Sequence, residues 1–194
     1  MNTSAPVPFN ESPPFRVIDH VGDETALFTA AEAAPAEHAL LDDLERLPSG
    51  GLLLVDFSEV RISSEAARQL LRRALLRITT GELKDRYLVL GDLGYSLYNI
   101  QIMLEGEELV AVERSEEDGP RLRGDVDPAM AATYRFLLLT GRATASLVQA
   151  HFSLTNISSA TNRLTTLSKL ALARRIEHRP VSGGGREFVY APVR

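Results

Sequence analysis

Hydrophobic positions along this chain fall into two rhythms, and the rhythms alternate. Leu40, Leu41, Leu44 and Leu47 recur at helical spacing and predict a helix over residues 36–47. Pro48-Ser49-Gly50-Gly51 stops it. The unbroken apolar run Leu52-Leu53-Leu54-Val55, bounded by turn residues, predicts a buried strand. Ser63 or Ser64 is placed to cap the next helix, whose inner face is Ala66, Ala67, Leu70, Leu71, Ala74, Leu75 and Ile78. A strand over 87–90 follows, then a turn at Gly91-Asp92-Leu93-Gly94. A helix over about 96–105 turns Leu97, Ile100, Met103 and Leu104 inward, and a strand covers 109–113. Upstream, residues 15–20 suit a short strand, and 26–33 suit a strand or a helix start. Alternating strands and helices predict an α/β domain with a mostly parallel or mixed sheet.

Beyond Glu113 the pattern changes. Residues 113–127 are acidic and interrupted by Gly119-Pro120 and Gly124, which marks a boundary, with a short edge strand at Leu122 as the alternative reading of that stretch. Asp127 followed by Pro128 is a helix start. That helix carries Ala131, Tyr134, Leu137 and Leu138 inward and ends at Gly141. A second helix begins at Ala143 or Thr144 and runs to about Phe152. Ser153-Leu154-Thr155 turns into a third, over about 156–170, with Ile157, Ala160, Leu164, Leu167 and Leu170 as its stripe. Two strands follow, over 174–179 and 186–192, with Ile176, Phe188 and Tyr190 expected inward and a glycine tip at Gly183-Gly184-Gly185. The division expected is a flexible tail over 1–14, an α/β domain over 15–122 and a smaller α+β domain over 123–194.

Charge sharpens that division. The chain holds 21 basic and 26 acidic residues, a net of −5. From Pro128 onward there are nine basic residues and only Glu177 and Glu187 as acids, a net of +7, which leaves −12 for residues 1–127. A segment that basic suits a polyanion. Cysteine is absent, which excludes disulfides, zinc ribbons and thiol nucleophiles. The first residues carry no signal-peptide pattern, and no apolar run approaches the ~20 residues a membrane span needs. A soluble, cytoplasmic protein without membrane association is expected.

Catalytic signals are weak. Asp56 and Asp92 follow buried strands, where open α/β sheets hold ligands, but such carboxylates are more often turn residues. The four histidines lack metal-ligand spacing, and no nucleotide loop is present. No enzyme activity, metal or cofactor is expected.

The third C-terminal helix carries the main candidate site. Its outer face is Asn156, Ser158, Ser159, Thr161, Asn162, Arg163, Thr165, Thr166 and Lys169, without one acid. A merely solvated helix usually mixes glutamate with lysine. Asparagine can read adenine edges, Ser and Thr reach bases or phosphates, and Arg and Lys bind phosphate or guanine. Arg174, Arg175, Arg179 and Arg186 add cations on the strands beside it.

Two resemblances fit these patterns. The stretch Leu54-Val55-Asp56-Phe57-Ser58-Glu59-Val60, with Ile62-Ser63-Ser64-Glu65-Ala66-Ala67 and the helix through Leu70-Leu71, resembles the STAS-like domains, the superfamily of the anti-sigma factor antagonists. About 90 residues are covered. In signalling members a serine at this helix start is phosphorylated and controls partner binding, so the resemblance implies Ser63 or Ser64 as the phosphosite. The chain departs from those members in having Ile62 where they have Asp and Glu65-Ala66 where they have Gly.

The last third resembles the bacterial winged helix-turn-helix regulators. Asn162-Arg163-Leu164, Leu167, Leu170-Ala171-Leu172, Arg174-Arg175, the glycine wing and Arg186-Glu187-Phe188-Val189-Tyr190 carry the likeness, with Ala171 where the family usually has glycine. The resemblance implies a third helix in the major groove of double-stranded DNA and a wing on the backbone or minor groove. It implies a DNA-binding transcription regulator, a homodimer on pseudo-palindromic sites, with the N-terminal domain as sensor or dimer contact. The alternative is a protein-interaction adaptor of an anti-sigma or kinase-type pathway, bound to a signalling protein and not to DNA.

Overall fold

Leu52, Leu53 and Val55 are almost fully buried, and the strand that holds them is the centre of a mixed sheet. The computed structural model describes residues 9–22, 25–115, 119–180 and 186–194. The glycine tip at 183–185 lies outside the described residues, as do residues 1–8 of the expected tail. Contacts divide the chain into two units, one over Phe9–Val126 and one over Asp127–Val193.

In the first unit, strand β4 (Gly51–Asp56) runs parallel to β1 (Asn10–Glu11) and β2 (Phe15–Arg16) on one side. On its other side it pairs in parallel with β6 (Tyr87–Gly91), and β6 with β7 (Val110–Ser115). Strand β8 (Gly119–Gly124) closes the edge antiparallel to β7. A separate parallel pair joins β3 (Ala26–Leu27) to β5 (Arg61–Ile62). Three helices join the strands: α1 (Ala30–Arg46), α2 (Ser64–Thr79) and α3 (Leu97–Gly106). Helix α2 lies between the other two, touching both.

Several boundaries differ from expectation. The tail enters the fold early, because Asn10 and Glu11 pair with Gly51 and Leu52. Helix α1 begins six residues sooner than the leucine stripe indicated. Thr29 caps it, accepting from the Glu32 N–H, while the Glu32 carboxylate accepts from the N–H groups of Thr29 and Phe28. This reciprocal cap satisfies otherwise orphaned donors. It also holds the Glu32 carboxyl below its ordinary pKa, chiefly through the bond from Phe28 and then that from Thr29. Strand β8 lies in the stretch read as a junction, where only Leu122 suited a short edge strand. Its sequence, Gly-Pro-Arg-Leu-Arg-Gly, has no alternating apolar face, and an edge strand tolerates its proline. Arg123 crosses to the buried Glu113 at 2.6 Å and fixes the pairing. Glu107, just past α3, is gripped by both Arg68 and Arg72.

The second unit has the order α4 (Pro128–Thr140), β9 (Ala143–Thr144), α5 (Ala145–His151), α6 (Ile157–Lys169), β10 (Ala173–Pro180) and β11 (Arg186–Pro192). Its sheet runs β10-β11-β9, all antiparallel. Asp127 caps α4 through the N–H groups of Ala129 and Met130, with Pro128 in the first turn. Gly141 ends α4 at φ 71°, the left-handed conformation that glycine adopts without steric cost. Tyr134, Leu137, Val148, Ala160, Leu164, Leu167, Val189 and Val193 form the core. The Tyr134 hydroxyl donates to the Val193 carbonyl, which ties the last strand to the first helix. Each of the leucines and valines among them contributes about 1.5–3 kcal/mol by leaving water. Together they set the angle at which α6 is held.

Candidate nucleic-acid interface

Helix α6 is built to show one face. Asn156 stands at its N-cap, with its Oδ1 accepting from the Ser159 N–H at 2.8 Å and from the Ser159 hydroxyl at 3.0 Å. That oxygen is therefore committed to the helix rather than to a base. Ala160, Leu164 and Leu167 anchor the inner side. Ser158, Thr161, Asn162, Thr166 and Lys169 are exposed, while Ser159 and Thr165 are half-buried on the flanks. The Thr161 hydroxyl donates back to the Ile157 carbonyl at 3.0 Å, leaving its oxygen lone pairs and its methyl outward. Arg163 is half-buried, with its guanidinium carbon 5.3 Å from the centre of the Phe152 ring. Such a cation–π contact limits where the charge can swing.

The hairpin divides its arginines, and a bulge decides how. Arg175 pairs with Tyr190 and Glu177 with Val189, so Ile176 is the extra residue. Past the bulge, His178 faces Phe188 and Arg179 faces Glu187. Side chains alternate along a strand and pair across it. One face therefore carries Arg175, His178, Arg186, Phe188 and Tyr190. The opposite face carries Arg174, Glu177, Arg179, Glu187, Val189 and Ala191. This corrects the expectation that all four arginines line the hairpin together. Arg174 is buried, at 9% exposure, and drops out of the exposed set. Arg179 pairs with Glu177 at 3.0 Å, and Arg142 approaches the same carboxylate at 3.7 Å. Arg175 and Arg186 remain on the face that adjoins α6.

Phe188, expected inward, is instead 36% exposed. Its ring lies 4.0 Å from His178 and 4.5 Å from the Arg175 guanidinium carbon. Tyr190, two positions further along the same face, is buried, so Phe188 is uncovered by its place nearer the hairpin end and not by its side of the strand; the bulge puts His178 beside it and leaves Ile176 half-buried. Between this face and α6 lies a groove of about 240 Å³, lined by Ile157, Thr161, Arg186, Phe188 and Tyr190 among others. Glu187 also reaches its rim, but its carboxylate accepts from the Ser146 N–H at 2.6 Å, the start of α5. With Asp127 on the α4 cap, all three acids of this unit are thus engaged locally. The apolar groove was not legible in sequence, since Ile157 and Phe188 each fit a buried periodicity.

In the first unit, Ser63 is the N-cap of α2. Its oxygen accepts from the Ala66 N–H at 3.1 Å, and its hydroxyl donates to the Phe28 carbonyl at 2.7 Å. Its own N–H donates to Leu27. Ser63 therefore holds the β3 segment onto α2. Ser64 is the first helical residue and is half-buried. Asp56 turns its Oδ1 to the Ser58 N–H at 2.7 Å, a local turn bond. Among the described residues no group of three or more His, Cys, Asp or Glu side chains is gathered to hold a metal ion. No helix among them is long and apolar enough to cross a membrane.

Comparison of the chain with family models, with curated proteins and with solved structures finds no match. What defines its class is the architecture: a mixed α/β fold with six α-helices among the described residues and a mixed sheet.

Proposed function

We propose that this chain is a DNA-binding transcription regulator. Its second unit acts as a winged helix-turn-helix, and its first, STAS-like unit acts as a sensory or oligomerisation domain. The observation that carries the reading is the outer face of α6: Ser158, Thr161, Asn162, Thr166 and Lys169 exposed together without an acid. Arg175 and Arg186 extend that face along the hairpin. In this reading Asn162 and Ser158 read base edges, and Lys169, Arg175, Arg186 and Arg163 bind phosphates. Asn156 and Ser159 hold the helix start instead of touching DNA.

The test is fluorescence anisotropy of the full chain on a duplex of its own promoter region across a salt series. Each neutralised phosphate steepens the log–log slope by about 0.9. Four such contacts weaken binding about a hundredfold between ~50 and ~200 mM salt. Arg175→Ala with Arg186→Ala lowers the slope by about 1.8. Affinity that is the same at both salt concentrations overturns the reading.

A second reading, the protein-interaction adaptor, is favoured by the apolar groove beside α6, where Ile157 and Phe188 stand exposed. It expects no duplex affinity and a signalling protein retained at equal stoichiometry on purification. The double engagement of the Ser63 hydroxyl weighs against a freely phosphorylated switch at that position.

A further inference from the structure

The outer side of helix α3 carries large apolar groups beside the polar Gln101 and Glu105. Ile100, Met103 and Leu104 are buried on its inner side. On the outer side Tyr95, one turn before the helix, is 81% exposed, Tyr98 74% and Ile102 41%. At about 100° per residue these three fall on one stripe, with Gly106 beside them. Contiguous exposed apolar patches mark interaction sites. The stripe is also rigidly held. The Ser96 hydroxyl donates to the Val60 carbonyl and accepts from the Ile62 N–H, and the Asn99 amide donates to the Ile62 carbonyl at 2.9 Å. Side chains presented on so fixed a base lose little freedom on docking.

Charge and spacing point to the occupant. At the Tyr95 end stands Arg61, exposed, with its guanidinium carbon 4.5 Å from the Tyr95 ring centre. At the other end stands Glu105, exposed. Position 100 is the midpoint of Tyr95 and Glu105, and also of Tyr98 and Ile102. A two-fold axis through that point lays a second copy antiparallel. It sets Tyr98 against Ile102 of the other copy, and the Arg61–Tyr95 end against Glu105. An isologous contact requires this self-complementarity about a centre. A tyrosine buries on the order of 150–250 Å², so these two rings, at 81% and 74% exposure, are large single contributions toward the ~800 Å² per partner that stable association needs. We infer that this stripe, Tyr95, Tyr98 and Ile102 between Arg61 and Glu105, is the surface through which two copies of the chain form a dimer. The inference deepens the oligomerisation role proposed above. It is tested without DNA, so its failure leaves the DNA-binding proposal standing.

Sedimentation of the full chain from about 1 to about 100 µM reads the association, because dimer content follows mass action. A dimer is expected, and Tyr98→Asp with Ile102→Asp reduces it to monomer while the far-ultraviolet spectrum stays unchanged and the melting temperature loses its dependence on protein concentration. Arg61→Glu weakens association about tenfold, and adding Glu105→Arg restores it. The chain lacks cysteine, so single thiols report register directly. Tyr95→Cys mixed with Glu105→Cys crosslinks on oxidation. Either variant alone does not, its two thiols being held ~15 Å apart along the axis. A monomer across the whole concentration range overturns the inference. So does a dimer that survives the double aspartate, or crosslinking by either thiol variant alone.

Discussion

Helices α3 and α6 are of similar length, and each buries three residues on a regular inner stripe. Their outer faces are opposites. Helix α6 shows Ser158, Thr161, Asn162, Thr166 and Lys169, a donor-rich face with positive charge. Helix α3 shows Tyr95, Tyr98 and Ile102. The inner stripes explain why both fold, and they say nothing about what either helix is for. The outer faces differ because their preferred neighbours differ: water-exchanging, charged surface for one, and apolar surface for the other. The difference is one of chemistry laid over the same geometry.

The largest way to break the comparison is at the seat of α3. Gly124 has φ 100°, and a Cβ there would lie 2.0 Å from the Leu109 carbonyl oxygen and 3.3 Å from the Leu104 Cβ. Gly124→Ala therefore combines backbone strain with overlap against backbone. It is expected to cost more than about 3 kcal/mol. Urea denaturation followed by circular dichroism measures it. A loss below about 1 kcal/mol would show that the β8 edge yields easily and that α3 is not seated by it.

Next in size are the caps. Ser63→Ala removes both the cap on α2 and the bond to Phe28. An expected loss of about 1–2 kcal/mol would appear in the same denaturation assay. Ser63→Asp keeps the cap and loses only the donated bond, so it should sit between wild type and alanine. Asn156→Ala frays the start of α6 and costs about 1 kcal/mol. Asn156→Asp caps equally well but adds a negative charge to the polar face. It separates stability from binding: melting stays level while duplex affinity falls several-fold. Equal affinity for Asn156→Asp and wild type would show that no phosphate lies near the start of α6.

The smallest expected effect is the pH dependence of the α1 cap. The Glu32 carboxyl is lowered from its ordinary value by the N–H bonds of Phe28 and Thr29. A lowered pKa in the folded state contributes stability above the unfolded value, and that contribution disappears as pH falls through the folded value. Wild type should therefore melt above Glu32→Gln at neutral pH, with the gap closing below about pH 4.5. A gap independent of pH would assign the difference to packing rather than to charge.

Much of this was legible in the chain itself. The central strand at Gly51–Asp56, helix α2 and the three C-terminal helices rest on strong local signals: an apolar run, a seven-residue stripe, and Asp127-Pro128 with Gly141. The candidate face of α6 was legible for the same reason, because helical spacing assigns every residue to a side. Strand β8 was legible only as a short edge strand at Leu122, since it carries no alternation of its own and exists through pairing with β7. The early start of α1 was written in Thr29 and Glu32, a signal weaker than the leucine stripe that follows it.

Local sequence thus determined the elements, the split of charge and the polarity of α6, because those depend on neighbours a few positions apart. Tertiary structure alone decided which side chains share a surface. One extra residue at Ile176 sent Arg175 and Arg186 to one face of the hairpin and Arg179 to the other. The fold likewise left Tyr95 and Tyr98 uncovered while burying Ile100 two positions on. Pairing register and coverage are set by segments distant in the chain, and no window along the sequence contains both partners.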